Sequence, residues 1–190
     1  MPSLSLPLYT ERLLLRDFVL ADFDAISAYA VDPLVNRFML YSPRDQMETY
    51  DYLLALLESQ RQQPRLIWEI GAVRQADGVL IGGCDLTLSD DGREGDLGYI
   101  LAQAAWGYGY ATEIARALLH AGFAQLELAR IYATCDIANT ASAHVLEKAG
   151  LRRRTTLYQY QFAKGRWWDV HYYAIERAEW DAGPRPLIEP

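Results

Sequence analysis

Between residues 94 and 125 the chain runs from an apolar, strand-like segment, "EGDLGYIL", through "AQAAWGYGY" into "ATEIARALLHAGFAQ", whose apolar residues recur at helical spacing. A strand, a turn with two glycines one residue apart and a helix in direct succession restrict the fold more than any other feature of this chain. The first N–H groups of a helix lack internal partners, and the helix dipole adds roughly half a positive charge there, so such a turn can hold an anion without a lysine. Gly107 and Gly109 let the backbone approach a ligand closely and adopt φ > 0. A GxG by itself also suits a plain tight turn, so its surroundings must decide.

Around this unit, "ERLLLRDF" (11–18) reads as a buried strand with arginines at its margins, and "LADFDAISAYAVDP" as a helix carrying Leu20, Phe23 and Ile26 and ended by Pro33. In "SPRDQMETYDYLLALLES", Ser42 is placed as an N-cap, Pro43 suits the first helical position and Asp45 gives an approximate capping box. Tyr50, Leu53, Leu54 and Leu57 form its expected core stripe. "RLIWEIGAV" and "VLIGGCDLTL" make a hairpin turning at Asp77 and Gly78. After the glycine turn and its helix come a strand, "ARIYATCD", a helix, "NTASAHVLEKAG", stopped by Gly150, and two strands joined by "KGR". The order β, α, α, β, β, β, α, β, α, β, β predicts an α/β protein around one sheet, a single domain over 1–190 with only the tail "DAGPRPLIEP" loose.

Composition narrows the partners. The formal charge of −7 disfavours a nucleic-acid binder and suits a cationic or neutral partner. Lys148 and Lys164 are the only lysines, and "LRRRT" (Arg152 to Arg154) is either a solvated strand start or an anion contact. The chain shows no apolar run of about eighteen residues and no signal-like start, so no membrane is expected and the protein is placed in the cytoplasm. Cys84 and Cys135 are too few for a disulfide framework or a zinc site, and read as buried apolar residues; no metal is expected. A Walker loop is absent, and a dinucleotide fingerprint fails because Thr112 stands where a third small residue belongs and Asp136 comes late for its carboxylate.

The segment "DLGYILAQAAWGYGYATEIARALLHAGFAQLELARIYATCDIANTASAHVLEKAGLRR" resembles the central region of the GCN5-related N-acetyltransferases (GNAT), especially the branch of RimJ- and RimL-like ribosomal-protein N-acetyltransferases. That family's pyrophosphate loop, Q/R-x-x-G-x-G/A, is matched by Trp106, Gly107, Tyr108, Gly109, Tyr110 and Ala111, with Trp106 in the Gln/Arg place. "NTAS" followed by "VLEKAGL" matches a second signature, and the flanking "ERLLLRDF" and "WWDVHYYAIERAEW" extend the likeness over nearly the whole chain.

The resemblance implies a mixed, mostly antiparallel sheet of about seven strands with about four helices, splayed between its fourth and fifth strands, where acetyl-CoA lies. Backbone amides from Tyr108 to Thr112 would hold the pyrophosphate, and the strand at Tyr99, Ile100 and Leu101 would pair with the pantetheine arm. Asn139 would hold that arm from the other side while serving as a helix N-cap. A neutral amine would attack the thioester directly, with a strand N–H near Ile100 or Leu101 serving the oxyanion. Leu146 occupies the place of the family's usual tyrosine acid, and Ser142 matches the serine proposed to protonate the leaving thiolate in this branch. Thr134 stands where some N-terminal acetyltransferases carry a glutamate base; Asp96 is the first choice here, then Glu94, Asp85 and Glu69, or a water relay. His120 and His144 read as surface or packing residues.

Among Trp68, Trp106, Trp167, Trp168, Tyr158, Tyr160, Tyr172 and Tyr173, most are expected in the core, and any in the acceptor cleft would favour a cation. Asp169 is read as an arginine's partner or a substrate contact. With the acidic balance this suggests an amine-bearing acceptor: a peptide or protein N-terminus, or alternatively an aminoglycoside-like sugar or polyamine. A non-catalytic acyl-CoA sensor is the reading from a different class, and the aromatic final strands allow a homodimer.

Overall fold

A computed structural model describes residues 3–41 and 45–183. Its strands are β1 (Leu8–Tyr9), β2 (Leu13–Asp17), β3 (Ile67–Arg74), β4 (Val79–Leu88), β5 (Glu94–Leu101), β6 (Arg130–Asp136), β7 (Arg152–Ala163) and β8 (Arg166–Glu176). The helices are α1 (Phe23–Ala30), α2 (Gln46–Ser59), α3 (Tyr110–Ala124), α4 (Thr140–Ala149) and α5 (Arg177–Ala182). The strands form one sheet in the order β1-β2-β3-β4-β5-β6-β8-β7. The two-residue β1 and the short α5 account for the excess over the seven strands and four helices expected.

Every neighbouring pair is antiparallel except β5 and β6. These two run parallel and pair only at Glu94–Arg130, Gly95–Ile131 and Asp96–Tyr132. Beyond Asp96, β5 keeps only β4 as a neighbour, in register to Gly82–Leu101, while β6 keeps only β8, to Asp136–Val170. The sheet is thus split from its middle to one end, at the strand pair where the family resemblance implies the splay.

Alternation along the strands sends one set of side chains to each face. Leu97, Tyr99 and Leu101 of β5 join Ile131, Ala133 and Cys135 of β6 in the core shared with α3 and α4. The opposite face packs a smaller core, with Ile26 and Tyr29 of α1 and Leu53 and Leu56 of α2. The α2 start departs from expectation: Asp45 is the N-cap, its side chain accepting from Glu48 N–H at 2.9 Å, while Ser42 and Pro43 lie outside the described residues. The buried stripe is Thr49, Leu53 and Leu56, and Tyr50 and Leu54 are exposed. Thr49 can be buried because its hydroxyl donates to Asp45 O at 2.8 Å. Most of the expected tail lies outside the described residues, although Asp181 and Ala182 belong to α5.

The arginines at the margins of β2 tie it to other elements. Arg16 forms a forked pair with buried Asp22, at 2.7 and 2.8 Å. Arg12 reaches 101 residues along the chain to Glu113 in the first turn of α3. One Glu113 oxygen accepts from Thr10 Oγ1 at 2.5 Å and from Arg12 N–H at 2.8 Å, and the other from Arg12 Nε at 2.7 Å. Arg152, Arg153 and Arg154 are exposed at the start of β7, the solvated strand start that is one of the two readings of the sequence, with Arg152 and Arg154 also paired to Glu179 of α5. Removing the half-buried carboxylate would strand several donors at once. Glu113→Ala should therefore lower stability by about 2 kcal/mol in urea denaturation, because charged hydrogen bonds contribute more than neutral ones.

Candidate active site

At the glycine turn, Gly107 and Gly109 have φ of 82° and 84°, and Gly109 is the N-cap of α3 with no side-chain cap. A Cβ at Gly107 would meet nothing within 4 Å and one at Gly109 only Arg12 at 3.6 Å, so the backbone angle, not crowding by the protein, demands glycine. The first intrahelical bond is Glu113 N–H to Gly109 O at 3.1 Å, which leaves the amides of Tyr110, Ala111 and Thr112 ahead of it. Two braces fix the turn. Trp106 donates its indole N–H to Leu101 O at 2.9 Å, and Arg12 donates to Tyr108 O at 2.9 Å while its guanidinium lies 4.7 Å from the Tyr110 ring centre. Neither brace was read from the sequence, since each depends on a contact outside the turn.

Where β5 and β6 part, a cavity of about 400 Å³ opens and reaches both faces of the sheet. Ala102 N–H donates to Ile81 O at 2.9 Å, so by antiparallel alternation the backbone groups of Gly98 and Ile100 face β4. Those of Leu97, Tyr99 and Leu101 face the gap. Ile100 therefore drops out as a backbone donor toward the gap and contributes a wall side chain instead. An uncapped helix N-terminus beside an unpaired strand edge fits a long, anionic, amide-bearing ligand such as coenzyme A.

On the α4 side, Asn139 caps the helix, its Oδ1 accepting from Ser142 N–H at 3.1 Å. Ser142 Oγ lies 2.8 Å from the Tyr99 phenolic oxygen. Burial raises the Tyr99 phenol well above its ordinary value, so it holds its proton. Cys135 is not a mere core residue: it lines the cavity beside Ser142, although burial pushes its thiol up to about 11. The Tyr99 side chain was missed in the sequence, where only its backbone was assigned; the odd-numbered alternation on β5 was the available signal.

The opposite side of the cavity is acidic and aromatic. Asp85 of β4 lies opposite Gly98 of β5, and a Cβ on Gly98 would come within 2.2 Å of Asp85 Oδ1. The missing side chain is what lets this carboxylate lie across β5. Asp85 lines the cavity, and burial, then the charges of Glu69 and Asp96, raise it to about 7. Glu69 stands opposite Asp85 on β3 and accepts from Tyr52 OH at 2.8 Å. Asp96 shares this face, and burial raises it to about 6, but it is not among the cavity's lining residues. It sits on the last closed pair, with Tyr132, before the strands part. Glu94 lies 3.5 Å from Arg130, away from the gap. Thr134 lines the cavity, whereas His120 and His144 do not. Of the eight aromatics singled out, Trp168 alone lines it, joined by Tyr29, Phe38, Tyr41 and Tyr52. Asp169 takes neither expected role: it accepts from Gln159 N–H at 2.8 Å at an irregularity of β7.

Comparison with known proteins agrees with this arrangement. Residues 12–152 match the model of the acetyltransferase (GNAT) domain. An uncharacterised N-acetyltransferase of Bacillus licheniformis, p20, is 33% identical over 181 residues, spanning 91% of this chain and 97% of its own. A GNAT-family acetyltransferase from Bacillus anthracis superposes with a TM-score of 0.80 at 26% identity, over 91% of this chain and 99% of its own. RimL, a ribosomal L7/L12 α-N-protein acetyltransferase crystallised with coenzyme A in a cysteine disulfide, shares the fold with a TM-score of 0.76 at 17% identity, over 88% and 95%. With the split sheet, the uncapped glycine turn and a family match over most of its length, the chain belongs to the GNAT acetyltransferases.

Proposed function

We propose that the protein is a single-domain acetyltransferase moving the acetyl group of acetyl-CoA to a primary amine by direct attack in a ternary complex, with Asp85 as the general base. The observation that carries this reading is a carboxylate, unpaired among the described residues, lying over a glycine where two strands separate. Asp85 thereby replaces Asp96, which stands at the closed end of the split. The fold shared with RimL supports a place in the RimJ/RimL-like branch, without transferring that enzyme's ribosomal substrate.

Acetyl-CoA supplies a thioester whose acyl carbon is open to a neutral amine. The amides of Tyr110, Ala111 and Thr112, with those of Tyr108 and Gly109 beside them, would hold its pyrophosphate. The gap-facing backbone of Tyr99 and Leu101 and the carboxamide of Asn139 would hold its amide-bearing arm. Leu101 N–H faces the gap as a donor for the thioester oxygen. Asp85, near half ionised at pH 7, takes the proton from the incoming ammonium. Across the gap, Ser142 and Tyr99 hold protons in one hydrogen-bonded pair and can pass one to the departing thiolate. Base and acid thus approach from opposite faces of the sheet.

Turnover, read as release of free coenzyme A, should rise with pH through about 7 in the wild type. Asp85→Asn should lower it by about 10²- to 10⁴-fold and remove that limb of the profile. Stability provides an independent check. Because the folded-state value of Asp85 is raised, wild-type stability should fall as pH rises from about 4 to about 7 and then level off. Asp85→Asn should lose this fall and be more stable than wild type at pH 8, by on the order of 1 kcal/mol. Unchanged turnover in Asp85→Asn would remove the base assignment.

For the loop, acetyl-CoA at about a hundred times its dissociation constant should add roughly 2.7 kcal/mol to the folded state. Gly109→Val, strained at φ 84°, should lose that gain in a thermal-unfolding titration. Wild-type affinity in the variant would overturn the loop assignment.

A further inference from the structure

The acceptor side of the cavity holds more negative charge than one proton transfer requires. Glu69 and Asp85 face each other across β3 and β4 and both line the cavity. Glu69 has the Tyr52 hydroxyl as its hydrogen-bond partner, and no hydrogen bond or ion pair is found for the Asp85 carboxylate among the described residues. The basic groups at the cavity's margins have other partners: Arg65 pairs with Asp17 at 2.7 Å, Arg16 with Asp22 at 2.7 Å and Arg166 with Asp136, itself a lining residue, at 3.2 Å, while Lys164 donates to Asn36 O at 3.0 Å. No cationic side chain is among the described residues that line the cavity, so the two neighbouring carboxylates repel each other, and the largely desolvated one has no donor among the described residues to offset its charge. Asn36, also in the lining, adds a buried carboxamide oxygen without a donor. All three groups call for donors, and two for positive charge.

We propose that Glu69 and Tyr52 form a second ammonium-binding subsite, and that the acceptor is a small linear diamine or polyamine whose reacting amine meets Asp85 while the next amine is held by Glu69. The strand order sets the spacing. Glu69 lies on the strand one step farther from the gap than Asp85, about 5 Å along the sheet. Three or four methylenes, at roughly 1.5 Å per bond, span that step between two nitrogens. Tyr29, Phe38 and Trp168 line the same space, where apolar ring surface suits methylenes and π faces suit ammonium groups. A peptide N-terminus with no second amine would leave Glu69 uncompensated.

The inference rests on the acetyltransferase reading only for which amine reacts, so it is tested first by binding. Calorimetric titration of the protein, alone and with coenzyme A, would compare 1,3-diaminopropane and 1,4-diaminobutane with propylamine and butylamine at pH 7.5. The diamines should bind at least tenfold more tightly than the monoamines of equal length. Glu69→Gln should bring that ratio to within about twofold, and Tyr52→Phe should reduce it, which serves as the second variant if Glu69→Gln fails to fold. Equal affinity of diamines and monoamines, or no binding of either, overturns the subsite. Release of coenzyme A with peptide N-termini but not with diamines also overturns it, while leaving the acetyltransferase reading intact. Selective diamine binding with no coenzyme A release from any amine would sustain the subsite and remove the acetyltransferase reading.

Discussion

The structure depends on a hydrogen-bond ladder that stops. β5 and β6 pair at three positions and then separate, although each stays fully paired on its other side, with β4 and β8. Those outer pairings hold the two halves of the sheet in place and keep the split from closing. An unpaired edge inside a protein is costly, because each buried backbone group without a partner forfeits about 1–3 kcal/mol. Here the edge lies on the cavity, where a ligand can act as the missing strand. The same crossover that makes β5 and β6 parallel runs through α3, so the uncapped N-terminus of that helix arrives beside the opening.

Strand alternation then divides the chemistry between two faces. Odd-numbered residues of β5 bring Tyr99 to Ser142 on the α4 side, where burial favours neutral, protonated groups. Even-numbered residues bring Gly98 under Asp85 on the other side, where a carboxylate can alternate between charged and neutral forms near pH 7. A one-residue slip between β4 and β5 would exchange these faces and put a side chain in the space Asp85 uses. The register is thus as much a part of the site as any functional group.

Local features were legible in the sequence. The limits of β5 were read to the residue, Gly150 does end α4 with φ 110°, and Asn139 does cap it, because caps, stops and alternation are set by neighbours along the chain. The identity of the carboxylate at the split was not legible. Asp96 lies nearest the glycine turn in sequence, but whether a side chain enters the gap depends on where β6 departs and on what stands opposite across β4. Only the register pairs Asp85 with a glycine. The α2 cap failed for a related reason: "SPRD" holds more than one acceptable cap, and the helix starts from Asp45. The Arg12 clamp on Glu113 and Tyr108 joins residues about a hundred positions apart, beyond any periodicity argument.

The acidic side of the cavity shows what such a site costs the free protein. Burial, and then the charges of Glu69 and Asp96, raise the proton affinity of Asp85, so above pH 7 the free protein carries a desolvated charge with no counterion among the described residues. In the proposed complex a bound ammonium would supply that counterion and lower the carboxylate's proton affinity while present. Proton transfer to Asp85 then removes one positive charge from the ligand and one negative charge from the wall, so the cavity's net charge does not change. The base is therefore strongest when no cation is bound and weaker once a cation arrives.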